Sequence, residues 1–151
     1  LILYKQYTRG YTIHDTFIFN SQLESIGKWY RQLMGESIGK AIDIHGKTVH
    51  AGITPIVSIG STDLHSMGQL YLGGPRDKIT TFLTSDMKMD TVKIPNHAYV
   101  KELVSGIKNK TMDEIMNAIY EGVIIAYKKQ RLPFMEIVLS EISENFANLL
   151  S

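Results

Sequence analysis

The sequence predicts an α/β fold in three layers, a mostly parallel sheet between two layers of helices. Strand-like segments alternate with helical ones along the chain. The strand segments are continuous apolar runs rather than strict apolar–polar alternations. Strands buried on both faces read that way, because the crossover helices of βαβ units cover both sides of a parallel sheet. Size agrees: 151 residues, 44% hydrophobic and 21% charged, suffice for one domain with a real core.

Thr12 to Phe19 is rich in β-formers and reads as the first strand. Ser21 opens a helix, with Glu24 as its capping-box partner. Leu23, Ile26, Tyr30, Leu33 and Met34 recur at helical spacing as its core stripe. The helix runs to about Ile38, and Gly39 stops it. Ala41 to Gly52 is a loop with a small hairpin around His45-Gly46-Lys47. Pro55 to Ile59 is a short buried-type strand closed by Gly60. Ser61 or Thr62 caps the next helix, which places Asp63 in the first turn, where a negative charge suits the dipole. Gly73-Gly74-Pro75 breaks that helix, and Ile79 to Leu83 is a third strand. Ser85 to Pro95 is weakly patterned, and Ala98 to Ile107 reads as a short helix. Thr111 and Glu114 form a second capping box, opening a helix through Ile115, Ile119, Val123 and Tyr127. Phe134 to Leu139 is a last strand, leading into a helix capped by Ser143 with Phe146, Leu149 and Leu150 on one face.

Bulk composition narrows the function. Sixteen basic against fifteen acidic residues give no electrostatic argument for nucleic acid or an anionic membrane. There is no cysteine, hence no disulfide framework and no thiolate metal site, which suits a cytoplasmic protein. The apolar runs fall far short of the ~20 residues a membrane helix needs. No glycine-rich nucleotide fingerprint, P-loop or Gly-x-Ser-x-Gly elbow occurs. His14, His45, His50 and His97 are scattered, without the spacing of a helical metal site, so neither metal nor cofactor is expected. The chain starts without Met and ends inside a predicted helix, so it reads as one domain, 1–151, of something longer.

Two segments carry candidate chemistry. In Trp29 to Lys40, Gln32 and Glu36 are four apart and share a helix face, beside Gly35. Alone, Glu36 reads as a solvated glutamate paired with Lys40. In Gly60 to Leu70, His65 sits in the first turn of a helix at a strand's carboxyl end, the rim where ligands of parallel sheets bind. The dipole there favours a neutral ring, able to donate or accept a proton. Alone, His65 reads as a packed structural histidine. Gly60-Ser61-Thr62 could cradle a phosphate or could be a plain cap.

Together the two segments resemble the glucose-6-phosphate isomerase family. Gly35-Glu36-Ser37-Ile38-Gly39-Lys40 is similar to its Glu-Ser-x-Gly-Lys word, and Thr62 to Gln69 to its histidine word, in the right order. Trp29 to Leu33 is similar to the bacterial form, and the resemblance runs from about Thr12 to Leu150. It implies the second of two flavodoxin-like sugar-isomerase (SIS) domains, ending before the family's C-terminal helices. It further implies interconversion of glucose 6-phosphate and fructose 6-phosphate through a cis-enediol. Glu36 then matches the general base between C1 and C2, His65 the residue that opens the sugar ring, and Gln32 a substrate-site glutamine. A homodimer is implied, with His65 donated across the interface. The family's phosphate-binding Ser and Thr side chains belong to the first domain, and its active-site lysine lies beyond Ser151. Lys40, Lys128 and Lys129 do not match that lysine. The isolated chain is therefore expected to isomerise poorly or not at all. Two other readings are a non-catalytic phosphosugar-binding module and another aldose–ketose isomerase on this scaffold.

Overall fold

The computed structural model describes residues 1–86, 92–95 and 105–140. Its elements, in chain order, are α1 (Ile2–Tyr7), β1 (Ile13–Ile18), α2 (Glu24–Ile38), β2 (Lys40–Ile42), β3 (Thr48–Ala51), β4 (Thr54–Ile59), α3 (Thr62–Gly73), β5 (Lys78–Ser85), α4 (Met112–Gln130) and β6 (Phe134–Leu139). The predicted fold class holds: β4, β1, β5 and β6 form a four-stranded sheet in that order, every neighbour parallel. Numbering only these strands by sequence gives 2-1-3-4, the start of the flavodoxin-like doubly wound order.

That order fixes the layers. A right-handed crossover to the left of β1 and another to its right emerge on opposite faces. β1 shows both faces by its alternation. Phe17 and Phe19 pack with Phe82 under Tyr71 of α3 and Ile124 and Tyr127 of α4. Ile18 packs with Leu83 and Leu139 under Leu23 and Ile26, at and near the start of α2. Gly27 of α2 sits so close to the sheet that a Cβ there would lie 2.3 Å from Ile18 Cδ1. The missing side chain thus brings α2 down onto β1.

Several ends differ from the sequence expectation. Ser21 does not open α2 with a capping box. Asn20 caps a single 3₁₀ turn, Ser21–Leu23, its side chain accepting from the Gln22 amide at 3.0 Å, and α2 follows without a side-chain cap. Short Asn competes well for this position because its carbonyl reaches the amide two residues on. Neither Ser61 nor Thr62 caps α3 with its hydroxyl. Asp63 instead folds back, Oδ2 accepting from the Ile59 amide at 2.7 Å and Oδ1 from Ser66 Oγ at 3.1 Å. α1 has no counterpart in the sequence reading: it is six residues long, has no capping side chain and buries none of its residues, so neither cap nor stripe marks it.

Other features match. The hairpin forms as β2–β3, its turn held by Asp43 Oδ1 accepting from the amides of His45 and Lys47, with Gly46 at φ +80°. Thr111 and Glu114 exchange both capping-box bonds, at 3.1 and 2.8 Å. Most of the expected helix from Ala98, and all of that from Ser143, lie outside the described residues. No helix among the described residues is long and apolar enough to cross a membrane.

Candidate active site

α2 leaves the carboxyl edge of the sheet and must run antiparallel to β1 to reach the start of β4. Its inner face carries Leu23, Ile26, Gly27 and Tyr30; its outer face carries Gln32 and Glu36. Gln32 Nε2 donates to Glu36 Oε1 at 3.0 Å across one helical turn. The structure thus joins these two residues directly, in place of the Glu36–Lys40 pair. Around them lies an open depression lined by Ser25, Lys28, Trp29, Arg31, Gln32, Gly35 and Glu36. Lys28 is paired with Glu24 at 2.6 Å. Arg31 is a residue to which the sequence reading gives no role. Its signal is a cation within the Trp29–Lys40 word, but only the helix geometry puts it in the wall of the same depression as Glu36.

His65 is exposed in the first turn of α3, at the carboxyl edge. Glu36 lies near the other end of its 15-residue helix, about 18 Å along the axis from Glu24 at 1.5 Å per residue. α2 and α3 also lie on opposite faces of the sheet. One chain therefore brings Gln32 and Glu36 together and holds His65 apart from both. At the Gly60 turn the Asp63 carboxylate accepts from the Ile59 amide, which places a negative charge beside any phosphate held there.

The crevice that the strand order predicts does exist. Beyond the carboxyl ends of β1 and β5, Asn20 Nδ2 donates to Ser85 Oγ at 2.7 Å. A cavity of about 360 Å³ opens there among Phe19, Ser85, Asn117 and Tyr120. Asp86, Asp113 and Glu121 also line it, and no Lys or Arg among the described residues does, so it is a poor host for a phosphate.

Two buried ionisable groups in β1 stand outside this surface chemistry. Asp15, fully buried, accepts from Ser58 Oγ at 2.9 Å, and that hydroxyl is 2.8 Å from the Tyr71 hydroxyl. Its second oxygen, Oδ2, has no partner. Burial raises its pKa to about 7, against the opposing bond from Ser58 and with a smaller push from the Asp63 charge. Burial first, then the nearby Asp15 charge, raises Tyr71. On the other face, His14 Nε2 is 2.8 Å from Thr81 Oγ1 and Nδ1 is 3.0 Å from the Tyr30 hydroxyl. Burial lowers the His14 pKa to about 4, so the ring is neutral at ordinary pH. Among the described residues no group of three or more His, Cys, Asp or Glu is placed to hold a metal ion.

Strand order and crossovers define a flavodoxin-like α/β domain with polar side chains on the outer face of one helix. No family model matches the chain. It is 32% identical over 135 residues to the glucose-6-phosphate isomerase of Carboxydothermus hydrogenoformans, covering 89% of this chain and 29% of that protein. It is 33% identical over 138 residues to a probable glucose-6-phosphate isomerase of Methanococcus maripaludis, covering 91% and 28%. Among solved structures, a hypothetical protein from Thermus thermophilus matches with TM-score 0.83 at 27% identity, over 98% of this chain and 35% of that one. A glucose-6-phosphate isomerase from Chlamydia trachomatis matches with TM-score 0.69 at 18% identity, over 93% and 28%, a likeness of fold. Over about nine-tenths of its length the chain is similar to one part of the glucose-6-phosphate isomerases. It spans about three-tenths of the length of the curated relatives it matches.

Proposed function

We propose that this chain forms part of a cytoplasmic enzyme that interconverts glucose 6-phosphate and fructose 6-phosphate, and that it supplies the proton-transfer groups. Glu36 acts as the general base, carrying a proton between C2 and C1 through a cis-enediol. Gln32, bonded to Glu36, orients that carboxylate. Arg31 adds positive charge in the same depression, suited to an anionic substrate. His65 serves the ring oxygen and hydroxyl as the sugar ring opens. The phosphate clamp is supplied from outside this SIS-type domain.

The observation that carries this reading is the separation within one chain. Glu36 and His65 sit on opposite faces of the sheet and at opposite edges. They can serve one substrate only if a second copy of the chain brings its His65 over the first copy's α2. A symmetric dimer then carries two identical shared sites.

The test is made in a full-length protein with this segment in place. Glu36→Gln should lower kcat by about 10²–10⁴-fold while ligand binding persists. An unchanged rate removes Glu36 from the role and leaves a phosphosugar-binding module. Mixing Glu36→Gln with His65→Gln protein then tests the sharing. Subunit exchange gives mixed dimers with one intact site, so about a quarter of normal activity should return. No recovery, with exchange verified, rejects the shared site.

A further inference from the structure

α3 begins without either of its expected caps, yet the turn that leads into it is tied down. The Gly60 amide donates to the Ile18 carbonyl, at the end of β1, at 2.7 Å. Asp63, half-buried, ties the other side, its Oδ2 accepting from the Ile59 amide at 2.7 Å and its Oδ1 from Ser66 Oγ at 3.1 Å. One carboxylate thus joins the last residue of β4 to the first turn of α3.

This is not the work of an ordinary cap. A capping side chain stands before the helix and bonds an amide of the helix itself. Asp63 stands inside α3 and bonds an amide of the strand. Nor does the helix dipole require it, because a carboxylate in the first turn suits the dipole without any directed bond. What the two bonds add is a fixed angle between β4 and α3. His65 lies between Asp63 and Ser66, inside the clamped stretch. Its ring is exposed and makes no hydrogen bond among the described residues, so it takes its place from the backbone that carries it.

We propose that Asp63 is a positioning residue for His65. By tying Ile59 to Ser66 it sets the direction in which α3 leaves the sheet, and so the point at which His65 meets a substrate held by a second copy's Glu36. The assignment rests on the reading of His65 as the ring-opening residue. A misplacement of about 1 Å at a reacting group can cost on the order of 10²-fold in rate, so a clamp beside the histidine acts on turnover without touching substrate.

The experiment measures kcat of single and double variants in a full-length protein with this segment in place. Asp63→Ala should lower kcat by about tenfold or more. Added to His65→Gln, the same change should alter kcat by less than about twofold, because nothing is left to misplace. Asp63→Asn keeps an acceptor for the Ile59 amide and offers Ser66 Oγ a donor, so its kcat should stay within about threefold of wild type. Ser66→Ala cuts only the second bond and leaves α3 tied to β4. It should lower kcat about threefold where His65 is present and leave it unchanged in His65→Gln. Where Asp63→Ala does not fold, the two Ser66→Ala measurements decide. Equal losses with and without His65 overturn the proposal, since a general loss of structure acts in both backgrounds. An unchanged kcat in Asp63→Ala or in Ser66→Ala overturns it too, and so does an Asp63→Asn as slow as Asp63→Ala, which makes charge and not bonding the cause. Full activity in His65→Gln is a separate result: it removes His65 from ring opening, and this assignment with it.

Discussion

Gly27 shows how much one absent side chain can decide. Ala there would gain about 1 kcal/mol of helix propensity. Its Cβ would also strike Ile18 Cδ1 at 2.3 Å and press Val57 Cγ1 at 3.2 Å. Ile18 is fully buried, so its methyl moves only at its neighbours' expense. Overpacking of this kind costs about 1–3 kcal/mol, so Gly27→Ala should lose about 1 kcal/mol net, read as a lower urea midpoint at unchanged slope. Asp15 gives a prediction of another kind. Its folded pKa is raised, so the neutral acid fits the fold and the contribution of Asp15 to stability falls as pH rises from about 4 to about 7. Asp15→Asn removes that slope. The stability of the variant relative to wild type should therefore climb across this window, by on the order of 4 kcal/mol, in urea melts at stepped pH. A difference that stays constant with pH would mean that the carboxylate is solvated. None of this is legible in the sequence: the bonding partners of His14 and Asp15 are 16 to 67 positions away, and a histidine beside an aspartate carries no local mark of burial.

At the scale of elements, legibility follows how local the cause is. Both Thr111–Glu114 bonds close within four residues, and the sequence shows them; Thr111→Ala should lower stability by about 1 kcal/mol, measurable in the same urea melts. The other end of α4 turns on Arg131 at φ +54°, a conformation that suits glycine better. Arg131→Gly should therefore hold or raise stability, by up to about 1 kcal/mol. The start of α2 differs from its expected form because Asn20 caps a 3₁₀ turn ahead of it, and Ser21 falls inside that turn. The start of α3 differs because a side chain inside the helix, Asp63, reaches back past both hydroxyl candidates. In each case the residue types are suitable and tertiary geometry makes the choice among them.

At the scale of the molecule, the alternation of strands and helices dictates the layers, and the rest follows from handedness. The same alternation does not reveal that Glu36 and His65 lie on opposite faces, because that requires the strand order β4-β1-β5-β6. Glu36 lies on the outer face of a single helix, bonded to Gln32 across one turn. Proton transfer at carbon needs a substrate held in place and shielded from bulk water, which one helix face does not provide. Assayed alone with fructose 6-phosphate, the 151-residue chain should show no isomerisation above background. Near-normal turnover would show that α2 needs no second surface.

β1 sets two ionisable residues back to back, His14 on one face and Asp15 on the other, and both are neutral inside the fold. Between about pH 4 and pH 6.5 the unfolded chain holds the same two residues as imidazolium and carboxylate. The number of bound protons is one in either state; unfolding only moves it from the carboxyl to the ring. The strand is isoprotonic with its own unfolded form. Each residue alone tilts stability with pH, in opposite senses, and the tilts cancel. His14→Gln should therefore expose a fall in stability with rising pH that wild type conceals, and Asp15→Asn a fall with decreasing pH.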